Sequence, residues 1–142
     1  MWQRIRHHAG DRGGLELFYP VMALAAFILI GLVVDGGGAL NASSHADYVA
    51  QEAARAGAQQ VDPAQAITGE AIVVDPDAAA GAAQAFLDAE GLTGTVNVSG
   101  DGKTLSVQVQ GTYDTNFASL LGYTQLNVTG EGSATLLHQP GG

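Results

Sequence analysis

The sequence has no cysteine, which excludes structural disulfides, thiolate metal sites and thiol nucleophiles. It is also poor in positive charge: five Lys and Arg stand against fourteen Asp and Glu, for a net charge of −9. A surface of that sign repels a phosphate backbone, so nucleic acid is not an expected partner. Aromatic residues make up only 6% of the chain. The core is therefore expected to be thin, built from small side chains and held by packing alone. The 142 residues accommodate one compact domain and an anchor, but not two substantial cores.

What the sequence does have is one long apolar run. Residues 17–34 carry no charge, and as a helix they would span about 27 Å, close to the hydrocarbon thickness of a bilayer. A cleavable signal peptide is the main rival, but its apolar region is usually about 7–15 residues; its best cleavage points here are Gly37-Gly38-Ala39 and Ser44-His45-Ala46. A buried soluble helix would need a hydrophobic wrapping that the rest of the chain lacks. Arg4, Arg6 and Arg12 precede the run and only Arg55 and Lys103 follow it, whereas twelve acids lie from Asp35 onward. This asymmetry predicts a single pass through the cytoplasmic membrane, with the N-terminus inside and the C-terminal domain extracytoplasmic. The expected organisation is a basic leader at 1–16, a transmembrane helix at 17–34, a juxtamembrane helical stem at 35–62 and an extracytoplasmic domain at 63–142.

Carboxylates mark both borders of the apolar helix. Glu16 stands at its start, where it complements the helix dipole, and Asp35 at its exit, where it opposes the dipole unless it caps a following helix or meets a partner. Gly36-Gly37-Gly38 reads as a flexible break after it, and Pro20 as a first-turn residue whose missing N–H is tolerated. Residues 40–61 read as an alanine-rich helix with Ala42, Ala46, Val49, Ala53 and Ala56 on one narrow stripe. Such a stripe permits close backbone approach, either to a neighbouring subunit or to the chain's own domain. Asp62-Pro63 is expected to end that helix.

Several of these blocks carry a resemblance. Asp11-Arg12-Gly13-Gly14, the apolar run, the segment from Gly31 through Asp35 to Gly38, and Ala53-Ala54-Arg55-Ala56-Gly57-Ala58 together resemble the N-terminal segment of the TadE/TadG-like pilus-assembly proteins. The blocks at residues 69–75 and 126–130 are similar to small membrane-anchored members of the same group. The resemblance implies a pilin-like minor component or assembly subunit of a tight-adherence (Flp-type) pilus or secretion apparatus, held in the membrane by its N-terminal helix and without enzymatic activity. Its implied partners are other pilin-like subunits, pilus-assembly membrane proteins and the lipid bilayer. One departure stands out. Pilin precursors of this kind resemble a pattern with glycine before the cleavage point and glutamate five residues after it, whereas cleavage after Gly14 puts Glu16 only two residues in. The leader is therefore expected to be retained.

Beyond the stem, Asp75-Pro76 reads as the N-cap and first position of a helix that stops at Gly91, with Leu92 placed to contact Leu87 in a Schellman-type ending. Ala79, Ala82, Ala83 and Phe86 would form its buried face. Val96 and Val98 alternate on one predicted strand and Leu105, Val107 and Val109 on the next, joined by a two-residue Asp101-Gly102 turn that puts Val98 opposite Leu105 and Val96 opposite Val107. A short helix at 116–121, between Thr115 and Gly122, would direct Phe117, Leu120 and Leu121 to the core. The last strand carries Leu126, Val128, Ala134 and Leu136, with Gly130 and Gly132 weakening its middle or marking a bulge. The fold class is α+β: a transmembrane helix extended by a juxtamembrane helix, then a small antiparallel sheet with two helices. If residues 71–74 are also a strand, the order matches a ferredoxin-like sandwich; the alternative is a pilin-like three-stranded sheet packed on the long N-terminal helix.

Chemistry-bearing residues are scattered. His7, His8, His45 and His138 have no partner at helix or strand spacing, so no metal or cofactor is expected. Asp75, Asp77, Asp88 and Glu90 flank one helix as capping or solvated residues rather than as a catalytic pair, and no glycine-rich loop with a lysine is present to hold a phosphate. The chain is accordingly not expected to be an enzyme. Candidate subunit contacts are Glu16, Asp35, Ala42, Ala46, Val49 and Ala53. The competing reading is a membrane-tethered extracytoplasmic binding or sensor module; a third is a protein freed by signal cleavage.

Overall fold

The computed structural model describes residues 12–60, 71–136 and 138–140. The first element, α1, runs unbroken over Arg12–Ala58, joining the expected transmembrane helix and stem into one rod about 70 Å long. Gly36, Gly37 and Gly38 are helical and make no break. A glycine costs a helix about 1 kcal/mol relative to alanine, but here apolar helix on one side and packed helix on the other hold the register through it. Pro20 is not in the first turn, since α1 begins eight residues earlier; the Glu16 carbonyl therefore lacks its usual helical donor. The expected stop at Asp62-Pro63 lies outside the described residues, and α1 has already ended at Ala58.

The second helix, α2, spans Pro76–Ala89. Asp75 caps it by accepting from the N–H groups of Asp77 at 2.9 Å and Ala78 at 3.3 Å, with Pro76 in the first position. It ends as the sequence predicts: Gly91 takes φ +68°, Leu92 N–H donates to the Leu87 carbonyl at 3.1 Å, and Gly91 N–H donates to the Asp88 carbonyl at 3.1 Å. Ala79, Ala83 and Leu87 are buried, while Ala82 and Phe86 are half-buried.

Strands β2 (Thr93–Val98), β3 (Thr104–Asp114) and β4 (Gln125–Thr135) form an antiparallel sheet in that order, preceded in the chain by β1 (Ala71–Val73). Val96 pairs with Val107 and Val98 with Leu105, the register expected from the valine alternation. The turn differs from the expected two-residue one. Gly102 N–H closes it on the Ser99 carbonyl at 2.8 Å, Ser99 N–H pairs with the Thr104 carbonyl, and residues 100–103 form the loop. Gly102 follows at φ +69°, and Asp101 accepts from Lys103 N–H at 3.1 Å, so the longer loop is satisfied internally.

The ferredoxin-like alternative does not occur. β1 pairs with β5 (His138–Pro140) in a separate two-stranded ladder, and the expected helix at 116–121 is a single 3-10 turn over Ala118–Leu121. One such turn is too short to make the crossover that a split βαβ arrangement needs. β3 and β4 instead pair directly over eleven residues each, without a bulge. The architecture is the three-stranded sheet packed on a long N-terminal helix. α1 and α2 share a core with one face of that sheet, in which Leu105, Val107 and Val109 are buried with Ala46, Val49, Ala50, Ala53, Ala54, Ala79, Ala83 and Leu87. The other face is polar, with Gln108 Nε2 donating to Glu131 Oε1 at 3.2 Å.

Candidate functional site

The candidate contacts lie along α1, and its two halves have different surroundings. Over residues 17–30 every side chain is exposed, Leu24 at 60% and Ile28 at 57% among them. A helix bare of protein over so apolar a stretch is long enough to cross a membrane, and the buried soluble helix is thereby set aside. Glu16 is exposed at the start of this bare half.

In the second half the small-residue stripe is occupied by the chain's own domain. Ala46, Val49 and Ala53 are 4% exposed or less, and Ala42 is half-buried. Of the two readings of the stripe, intrachain packing is the one the structure contains. Gly130 and Gly132 of β4 make it possible: a Cβ at Gly130 would collide with the backbone of Ala46 and Asp47, and one at Gly132 with the backbone of Ala50 and Gln51. These glycines provide close approach of helix to strand rather than a bulge or a weak point.

A second row on α1 seals the sheet. β4 is an edge strand, and an uncovered edge presents unpaired backbone groups. Ser43 Oγ donates to the Thr129 carbonyl at 3.1 Å, Asp47 Oδ1 accepts from Glu131 N–H at 2.9 Å, and Gln51 Nε2 donates to the Ser133 carbonyl at 3.0 Å. Three polar residues four apart on the helix thus meet three alternate residues of the strand. Sequence reasoning missed this row, although its spacing beside the alanine stripe was a legible signal.

Between the two halves stands Asp35, 5% exposed. Its Oδ1 accepts from Asn116 N–H at 2.7 Å, and its Oδ2 accepts from Phe117 N–H at 2.9 Å and Ala118 N–H at 2.6 Å. A carboxylate of α1 therefore caps the 3-10 turn between β3 and β4. Burial pushes its carboxyl pKa up, but the bonds from Ala118, Asn116 and Phe117 outweigh this and hold it below the ordinary carboxylate value. The sequence called for a cap or a partner at this position, and the cap is supplied within the chain. The turn itself does not point where it was expected to. Phe117 packs on α1, edge-on to Phe27 at 5.4 Å between ring centroids and against Gly31, whereas Leu120 and Leu121 face outward, 72% and 78% exposed. Their place next to the apolar half of α1, rather than over the sheet, is why they stay outside the core.

An open groove of about 760 Å³ runs between the stem and the sheet, lined by residues that include Ala42, His45, Leu92, Val109, Gln110 and Thr129. Among the described residues no three His, Asp or Glu side chains cluster as a metal site would require. His7, His8 and the side chain of His138 lie outside the described residues.

No curated protein and no solved structure matches the chain. One family model does, over residues 15–60, a stretch that begins within α1 and ends two residues beyond it. It takes in the bare apolar half, Asp35 and the alanine stripe. The matching model is described as putative Flp pilus-assembly TadE/G-like, the family that the first sixty residues resemble.

Proposed function

We propose that this protein is a minor pilin-like or assembly subunit of a tight-adherence (Flp-type) pilus or secretion apparatus, acting through helix packing in the membrane and not as an enzyme. The observation that carries this reading is the coincidence of the TadE/G-like match with a helix whose first half is bare and whose second half is the spine of a sheet domain. With Ala46, Val49 and Ala53 already covered, contact with other pilin-like subunits falls to the bare half, from Glu16 to about Ile30. Glu16 has a role there, since a carboxylate at the membrane border is costly unless a basic group on a neighbour complements it. The arginine asymmetry supports an inside N-terminus and an outside domain. Retention of the apolar helix as a signal-anchor is supported by the positions of both candidate signal-cleavage points, which lie within continuous helix; at the second, Ala46 is buried against β4.

Photo-crosslinkers placed at Leu24 and Ile28 in cells carrying the complete apparatus test the reading. Crosslinks to pilin-like subunits from these positions, together with loss of surface fibres on deletion of the protein, are the expected result. Fibres that assemble normally without it, and no crosslinks from α1, would overturn the proposal and move the tethered binding module ahead, with the groove beside His45 as its site. Orientation is read separately: protease added to intact protoplasts is expected to remove the domain after residue 40 and leave the N-terminus intact.

A further inference from the structure

The loop between β3 and β4 combines two properties that rarely meet in water. Its backbone is closed off: Thr115 N–H donates to the Thr124 carbonyl at 3.0 Å, and the N–H groups of Asn116, Phe117 and Ala118 are taken by Asp35. Leu120 N–H donates to the Phe117 carbonyl at 3.1 Å, Gly122 N–H to Ser119 at 3.0 Å and Tyr123 N–H to Ala118 at 3.1 Å. The Thr115 hydroxyl donates to the Tyr123 carbonyl. At its tip, by contrast, the side chains of Leu120, Leu121 and Tyr123 are open, each at least two-thirds exposed, and no residue from 115 to 124 is charged.

Position explains the combination. Phe117 lies against Phe27 and Gly31 of α1, four to eight residues before Asp35, which is about 6–12 Å down the helix from it. That stretch belongs to the bare apolar half, so the exposed leucines continue the surface that α1 presents to lipid. Loops with unpaired backbone groups do not survive contact with hydrocarbon, and in this loop the N–H groups of Thr115, Asn116, Phe117, Ala118, Leu120, Gly122 and Tyr123 are paired within the chain. The opposite end of the sheet is polar: the loop at residues 100–103 carries Asp101 and Lys103.

We propose that residues 117–123 form a second membrane contact, inserting Leu120, Leu121 and Tyr123 into the acyl–headgroup boundary of the leaflet through which α1 leaves, with Asp35 as the internal cap that makes the loop compatible with lipid. Apolar groups at interfacial sites are buried about 5–10 Å into that boundary, the depth at which Phe117 meets α1, and a tyrosine suits the headgroup level. The sheet domain is thereby held at two points and cannot swing freely about the anchor. The inference rests on α1 being the membrane anchor.

The chain has no cysteine, so single labelling sites are available without background. Leu121→Cys, Leu24→Cys and Gly100→Cys, each carrying an environment-sensitive fluorophore, are compared in the full-length chain in vesicles of phosphatidylethanolamine and phosphatidylglycerol. The quenchers are a shallow nitroxide lipid and aqueous iodide. At position 121 the label is expected to be quenched by the nitroxide lipid and shielded from iodide, and at position 100 the reverse. Iodide quenching at 121 with lipid quenching at 24 overturns the loop insertion while leaving the anchor in place. A label at 121 shielded from both quenchers shows a protein partner over the loop and also overturns it. If position 24 is itself reached by iodide, the anchor fails and the inference with it.

Discussion

The two halves of α1 share one helical backbone and face different solvents, and side-chain size separates them. From residue 17 to 34 the helix carries Leu, Ile, Phe, Val and Met side chains that project from the rod and are largely unmet by the rest of the chain, except where Phe27 and Gly31 receive Phe117. From Ala46 to Ala54 the inward side chains are alanine and valine, and they are 4% exposed or less. Large side chains keep a partner backbone at a distance and leave apolar area for lipid to cover; small ones opposite glycine allow strand and helix to touch. A hydrophobicity scale ranks the first half as the more buried, yet the second half is the one inside the protein. In this chain close packing, more than apolar character, marks the intramolecular core.

That contrast yields a graded set of expectations for the full-length chain in detergent micelles. The largest effect is expected from Val107→Asp, which places an unpaired charge under the helices and should cost about 4 kcal/mol or more in chemical denaturation. A variant that melts within a degree of the parent would show that Val107 is not core. Next is Gly132→Val, which forces a side chain into the Ala50 backbone and should cost about 1–3 kcal/mol, with the helical signal of α1 retained because its membrane half does not depend on the sheet. Asp75→Ala removes the N-cap of α2 and is expected to cost about 1 kcal/mol. Asp35→Asn should speed amide hydrogen exchange at Asn116, Phe117 and Ala118 while leaving the exchange of Leu105 and Val107 unchanged. Its pH dependence has a definite sign. The folded-state pKa is lowered from the ordinary 3.8, so the contribution is complete above that value and is lost only as pH falls through the lower folded-state value; protection of the three amides is therefore expected to be level between neutral pH and about pH 5. The smallest effect is that of Leu24→Ala, within about 0.5 kcal/mol of the parent, because nothing in the protein packs on it. A large loss there would mean that the bare half is covered after all.

Much of this was legible. Asp75-Pro76, Gly91 and the alternation through Val96, Val98, Leu105 and Val107 are local signals, and local signals fixed α2 and the hairpin register. The apolar run and the TadE/G-like resemblance located the anchor by the same kind of reading. Long-range pairings were harder. Nothing near Asp35 names Asn116 as its partner, and nothing near Leu120 says that its loop is carried to the apolar half of α1. The stripe at Ala46 and Ala53 was visible as a stripe, but which surface would fill it depended on glycines more than seventy-five residues away. Those glycines read locally as defects and make sense only opposite the helix.

The pairing of the first element with the last long strand sets an order of events during synthesis. Gly130 and Gly132 meet α1 at Ala46 and Ala50, so the stem emerges well before the strand that covers it. At roughly 5–20 residues per second, the intervening chain of about 80 residues takes on the order of 4–16 s to make. During that interval the finished helix can enter the bilayer while its alanine stripe and the row of Ser43, Asp47 and Gln51 remain uncovered beside other nascent helices. A chain truncated before β4 would retain its anchor and keep that surface permanently open.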